Sequence, residues 1–340
     1  MKYSGGTVDD RAVKAAAGSV LEGGNGVRVG GWVISSHKGP ITADAQLEGI
    51  KAELGTLAAP EQFYGENYLR LTHEASGTCI SFTALDALKG WLSDKSEPVR
   101  VEAAADWLRS RQQDVQTHAA QTLEYDWTYT TSYPGTVGAA GSASEDGGIS
   151  GGSGGGGGSG AQPAAAAAAA GSGGAAAAAG AAPDDQQQQG RQQQGQQRRW
   201  EPSGEAIPRA LLTSRDPILY YDELPLYESE LDDHGSSRMS LKVRVMPRCW
   251  YVLLRFWLRV DHVLVRLRET RVFCQFDSPP PPAARVLREV RHHEGTFADL
   301  RAAGAPAEGP AYADADTASA ALMAVAPLGV THYRQEQLLL

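Results

Sequence analysis

Residues 238–245 alternate without a break. Arg238, Ser240, Lys242 and Arg244 are interleaved with Met239, Leu241, Val243 and Val245. A period of two predicts a strand with one apolar face. Pro247 predicts its end, because proline brings no ladder N–H. Trp250 to Val260 predicts a second strand and Val263 to about Phe273 a third. Asp261-His262 is expected to be a two-residue hairpin turn, with His where a type I′ turn prefers Gly. That turn pairs Val260 with Val263, Leu258 with Val265, Phe256 with Leu267 and Leu254 with Glu269. A four-residue loop over Met246 to Cys249 pairs Val245 with Trp250, Val243 with Val252 and Leu241 with Leu254. Both registers gather the apolar residues on one face, as an antiparallel meander requires.

The N-terminal third carries weaker patterns. Trp32 to Ser36 predicts a strand. Thr42 to Leu54 predicts a helix with Thr42 as N-cap and Leu47, Ile50 and Leu54 along one face. Tyr68 to His73 and Thr78 to Phe82 predict strands joined by a Ser76-Gly77 turn. Thr83 to Trp91 predicts a helix, with Thr83 as N-cap and Asp86 three residues on, as in a capping box. Leu123 to Thr131 is aromatic and β-prone.

Between these regions the composition changes. Gly147 to Gly160 is almost pure glycine and serine, Ala164 to Ala170 and Ala175 to Ala179 are alanine tracts, and Gln186 to Gln197 is rich in glutamine. Such sequence buries too little apolar surface to offset its ordering entropy. The chain therefore divides into a disordered N-terminus (1–30), a first folded part (31–133), a disordered low-complexity insert (134–204), a second folded part (205–326) and a C-terminal tail (327–340). The first part alone offers a thin core, so the two parts are expected to form one discontinuous domain. The fold class is α+β, with sandwich-like antiparallel sheets and flanking helices.

Bulk properties exclude several classes. The chain carries 31 basic and 40 acidic residues, a net charge of −9, which suits a nucleic-acid binder poorly unless the basic groups share one face. Cys79, Cys249 and Cys274 form no CxxC, so reduced thiols are expected rather than disulfides or zinc. No apolar run reaches the roughly 18 residues of a membrane helix, and Met1 to Asp10 does not read as a secretory signal. HExxH and Walker patterns are missing, and the glycines from Gly23 to Gly31 do not match GxGxxG. Asp232-Asp233-His234 and His292-His293-Glu294 are short clusters without supporting ligands nearby. No catalytic residue, cofactor or metal is expected. A nucleophile–base pair is not on display, which leaves an unrecognised hydrolase without candidates.

The predicted meander leaves a second face carrying Arg238, Lys242, Arg244, Arg255, Arg259, Arg266 and Arg268 with Tyr251 and Trp257. In that register Arg255 faces Arg268, which calls for a counter-charge, and Trp257 faces Arg266, which suits a cation–π pair. The face is either solvated or neutralised by the acidic stretch Asp222 to Asp233, or it docks an acidic segment of a partner. Glu269 is the exception on the apolar face. It sits at an open end of the sheet or pairs with a base such as Arg271, since a lone buried charge is too costly.

PILYYDELPLYESELDDHG, SLKVRVMP, WYVLLRFWLRVD and VLVRLRETRVF together resemble the core of the TIPRL family (TOR signalling pathway regulator-like proteins). GW at Gly31-Trp32, FTALDALKGW at Phe82 to Trp91 and YDWTYTTSYPGT at Tyr125 to Thr136 agree with it in order. The resemblance covers about Gly31 to Thr136 and Ile207 to Ala326. It implies a mixed α and β fold, no catalysis, and a cytosolic protein, with the nucleus as a second compartment. It also implies binding to the catalytic subunit of type-2A protein phosphatases and modulation of TOR signalling. A monomer is expected, with neither membrane nor nucleic acid as partner. The family's phosphatase-binding positions map onto Asp86, Leu267 and Glu269, and onto Ile207 beside the insert. The family usually has Asp where this chain has Glu269, and Gly where it has His262. Asp86 is either a helix cap alone or a cap that also touches the partner. The runner-up function is a nucleic-acid or acidic-peptide binding module using the arginine face, with Arg255, Trp257, Arg259, Arg266 and Arg268 at its centre.

Overall fold

The alternating residues form the middle of a large antiparallel sheet. A computed structural model describes residues 6–56, 58–94, 127–139, 198–231, 235–276, 285–306, 309–324 and 330–340. Five long strands carry the sheet: β10 (Tyr220–Ser229), β11 (Gly235–Met246), β12 (Cys249–Val260), β13 (Leu264–Gln275) and β14 (Arg285–Thr296). β15 (Val330–Leu339) follows β14, and the short strands β1 (Thr7–Val8) and β9 (Glu201–Pro202) lie at the edges. β5 (Gln62–Phe63) adds to β10 off the main path. A second, six-stranded sheet has the order β2 (Ser19–Val20), β3 (Gly26–Val29), β4 (Trp32–His37), β6 (Tyr68–His73), β7 (Thr78–Thr83) and β8 (Thr136–Ala139).

One apolar core joins the small sheet to one face of the large one. Trp32, Ile34, Leu69, Leu71 and Phe82 share it with Leu241, Val243, Trp250, Val252, Leu254 and Phe256. Trp32 meets Trp250 edge-on with ring centroids 5.0 Å apart, a geometry aromatic quadrupoles favour. A polar tether crosses the same junction: Ser36 donates to the Asp222 carboxylate, which is also paired with Lys38. Gly30 has φ +57, and a Cβ there would stand 2.2 Å from the Phe276 ring. The fold class is thus α+β with antiparallel sheets, as the patterns predict.

The β11–β12 register matches expectation, including Val245↔Trp250, Val243↔Val252 and Leu241↔Leu254. The β12–β13 register does not. The turn holds three residues, Asp261 to Val263, with Val260 opposite Leu264 and His262 in the left-handed region at φ 61. Arg255 therefore faces Glu269 and Trp257 faces Leu267. The expected Arg255–Arg268 and Trp257–Arg266 pairings do not occur. A slip of one residue turns every side chain of a strand over. It sends Arg266 and Arg268 to the face opposite Arg255, Trp257 and Arg259. Alternation was a poor guide here because both faces of β13 are covered.

Other expectations also give way. Residues 7–29 are not disordered: Asp9 caps α1 (Asp10–Ala15), and Val13, Val27 and Val29 are core residues. α2 (Asp44–Leu54) starts after Ala43 without a side-chain cap, while Thr42 Oγ1 accepts from the Gly65 N–H at 2.9 Å. Of the predicted strand Leu123 to Thr131, residues 127–131 lie in a turn and irregular coil, with Tyr129 at φ 57, and the rest lies outside the described residues. The 327–340 tail contributes β15. The 134–204 insert is narrower than expected, because β8 and β9 are strands of the two sheets. Trp200 lies under the Arg288 guanidinium at 3.9 Å. α3 (Ala84–Ser93) does have Thr83 as its N-cap, accepting from the Asp86 N–H. The described residues on both sides of residues 149–197 belong to one compact unit.

The described chain breaks off at Ala139 and resumes at Arg198. Ala139 pairs with Thr78, Thr78 pairs with His73, and the charge of Arg198 is felt at His73. Loop length costs little once the ends are fixed. Replacing residues 149–197 by a short Gly-Ser linker should therefore leave the Tm within about 3 °C in a calorimetric scan. A fall of about 10 °C or more would show that the segment supports the core.

Candidate functional site

The sequence-predicted residues sort onto the two sides of β13. On the outer side Glu269, only 1% exposed, is clamped between two arginines. Arg255 Nε donates to its Oε1 at 2.7 Å and Arg271 Nη2 to its Oε2 at 2.8 Å. Of the two readings of Glu269, pairing with a base is the one the structure holds. Arg255 also reaches Asp316 of α6 (Ala315–Ala324), and Lys242 reaches Asp316 at 3.3 Å. Burial works to lower the Arg255 pKa, but Glu269 and Asp316 outweigh it and hold it above the ordinary value. Leu267 is fully buried beneath α5 (Phe297–Ala302) and α6, with Trp257, Val265, Phe297, Leu300 and Leu322. Arg259 pairs with Asp261 at 2.7 Å.

Ile207 lies on the same face at its far end. It packs with Met246, Cys249, Phe273 and Leu287 just before α4 (Arg209–Leu212). Its N–H donates to Glu289 Oε1 at 2.9 Å. Ile207, Leu267 and Glu269 thus share one sheet face, but all are buried and do not meet at one exposed spot.

On the inner side Arg268 donates to Asp94 at 2.5 Å and to Ser132 at 2.7 Å. Arg266 donates to Glu294 at 2.5 Å and to Thr130 at 2.8 Å. Asp94 and Ser132 line a cleft of 540 Å³ with Asp86, Lys89, Tyr133 and Thr136. The Asp86 carboxylate accepts from Thr136 Oγ1 at 2.8 Å, so it serves the cleft wall while its own N–H is capped by Thr83. Burial, with Asp86 nearby, pushes the Tyr133 hydroxyl pKa up, so it stays a neutral donor. Asp94, Ser132 and Tyr133 were not foreseen as site residues. The only signal for Ser132 and Tyr133 is the polar run at 128–136, which carries no charge periodicity, and Asp94 had none. Asp316 had no signal, since an alanine-rich segment does not announce its contacts.

The basic face is neutralised from several directions. Arg238 pairs with Glu228 at 2.6 Å and Lys242 with Glu223 at 3.4 Å, both from the acidic stretch. Arg244 donates to the Leu212 carbonyl. Asp232 and Asp233 lie outside the described residues. Cys79, Cys249 and Cys274 are free and buried. Among the described residues no group of three ligands could hold a metal, and no helix is long and apolar enough to cross a membrane.

Two antiparallel sheets with short helices, and charged groups largely paired with one another, define an α+β protein whose open features are clefts in its surface. Comparison with known proteins gives the family. The TIP41-like family matches residues 62–301, and the chain belongs to it. It is 35% identical to a TIP41-like protein of Arabidopsis thaliana, over 92% of this chain and 93% of that protein. A TIP41-like protein of Rattus norvegicus is 29% identical over 80% of this chain and 77% of its own length. The type 2A phosphatase activator TIP41 of Saccharomyces cerevisiae is 29% identical over 83% of this chain and 66% of its own.

Two predictions follow from these networks. Glu269→Gln takes the carboxylate from Arg271, leaves Arg255 with only the exposed Asp316, and should lower the unfolding free energy by about 3 kcal/mol. The readout is a lower urea midpoint with an unchanged m-value, and Glu269→Asp should lose less. The second concerns His292, opposite Arg268 and 5.0 Å from the His332 ring. Burial first, then Arg268 and His332, lowers its pKa to about 4. Between about pH 6.5 and that value the unfolded chain takes a proton that the native state refuses, so stability falls as pH drops. His292→Gln should flatten that slope in urea titrations at pH 7 and pH 5.

Proposed function

We propose that this protein is a non-enzymatic regulator that binds the catalytic subunit of type-2A protein phosphatases and acts in TOR signalling. The observation that carries the reading is the family membership, with relatives over most of the chain, one of them named a type 2A phosphatase activator. Asp86 supports it geometrically, since its carboxylate stands in the wall of an open cleft. Leu267, Glu269 and Ile207 are too buried to touch a partner directly, so in this reading they shape the surface that does. The protein works as a monomer in the cytosol and nucleus, without cofactor or metal.

The alternative, an arginine face that binds nucleic acid or acidic peptides, gains little support. Arg255, Arg259, Arg266 and Arg268 each have an acidic partner, and a neutralised face releases few counterions on binding.

The test is a pull-down of the full chain against purified type-2A catalytic subunit. A complex at micromolar concentration is expected, and its absence overturns the reading. Asp86→Leu, kept folded as shown by an unchanged near-UV spectrum, should weaken the complex about tenfold, the scale of one lost charge-assisted contact. Normal binding by that variant would leave Asp86 only a structural part of the helix start.

A further inference from the structure

The cleft that holds Asp86 has two walls, and they are joined at three levels. One wall is α3 with its C-cap Asp94, and the other is the segment 132–136. At the start of α3 the walls touch directly, through Asp86 and Thr136. In the middle they close on Gly90, where a Cβ would stand 2.8 Å from Thr131 Oγ1 and 2.9 Å from Tyr133 Cβ. At the end of α3 they are joined through the large sheet. Arg268 Nη1 donates to Asp94 Oδ2 at 2.5 Å and to Ser132 Oγ at 2.7 Å, so one guanidinium holds both walls.

Charge makes this third join the sensitive one. Asp94 caps the C-terminus of α3, and the last turn of that helix has no basic residue. A carboxylate there meets the negative end of the helix dipole and is disfavoured. Its side chain is also only 9% exposed, a burial that a charge tolerates only beside a counter-charge. Arg268, itself buried, supplies that charge. The joins at Thr136 and Gly90 need no cation.

We propose that Arg268 is a positioning residue for the Asp86 cleft. By bridging Asp94 and Ser132 it sets the spacing of the two walls at the end of α3, and with it the fit of a partner between them. The proposal rests on the reading of this cleft as part of the phosphatase-binding surface. Arg268 does not line the cleft and touches no partner. Leu267 and Glu269 flank it on β13 and are held from the opposite face, by the α5–α6 cover and by Arg255 and Arg271. Those two buried residues thus fix the strand that presents the guanidinium. Without Arg268, the Asp94 carboxylate turns from the helix end to water and the walls part there.

The experiment uses the full chain and purified type-2A catalytic subunit, with affinity read by interferometry and amide exchange followed over residues 90–94. Arg268→Gln should bind about tenfold more weakly, and exchange over residues 90–94 should quicken. Arg268→Lys, which keeps a cation beside Asp94, should recover most of the affinity. Arg288→Gln is the control for a merely structural role. It breaks an equally buried pair, with Glu336, that lines no part of the cleft. It should lower the Tm yet leave the affinity within about twofold. In an Asp86→Leu background, Arg268→Gln should cost less than about twofold more, because both act on one cleft. Should Arg268→Gln fail to fold, Asp94→Asn breaks the same bridge from the helix side and should give the same loss. Unchanged affinity, a loss matched by Arg288→Gln, or unchanged exchange overturns the proposal. No complex with the unmodified chain would defeat the phosphatase reading instead, and exchange over residues 90–94 would still decide whether Arg268 holds the end of α3.

Discussion

A carboxylate buried between two arginines at the centre of the large sheet fixes the rest of the molecule. Glu269 can sit there only if β13 places it against Arg255 and beside Arg271. That register in turn sends Arg266 and Arg268 to the other face, where Glu294, Thr130, Asp94 and Ser132 receive them. A shift by one residue would leave the charges on both faces without partners, a cost that adds to the lost apolar contacts. The ladder is therefore specified by ion pairs as well as by hydrophobic packing.

This commitment shapes what the surface can offer. Arginines that look from the sequence like a free basic face are used up within the molecule. They link the sheet to three separate elements: α6 through Asp316, the α3 end through Asp94, and the 127–134 segment through Thr130 and Ser132. Leu267 and Glu269 belong to this scaffold, so a change at either reaches the surface through what it supports. Asp86 differs, because its cleft is open and its carboxylate accepts from the Thr136 hydroxyl in the cleft wall.

Much of the fold was legible. The β11–β12 hairpin, the β6–β7 hairpin and the Thr83 cap were written in alternation, turn residues and capping chemistry, all of which act between near neighbours. Short edge elements were not. Residues 7–29 and 330–339 contain few large apolar groups, and their strands exist because a sheet edge is there to pair with. The candidate site was legible in its residue types but not in its geometry. Glu269 was marked as needing a base, and it has two.

The sequence by itself determined the antiparallel α+β class, the family and the need for compensated charge in the 238–273 block. The tertiary structure alone decided which face each arginine takes. Period-two alternation fixes the two faces relative to each other, but not which of them is covered. When both are covered, partners distant in sequence, Asp94 and Asp316 among them, settle the register.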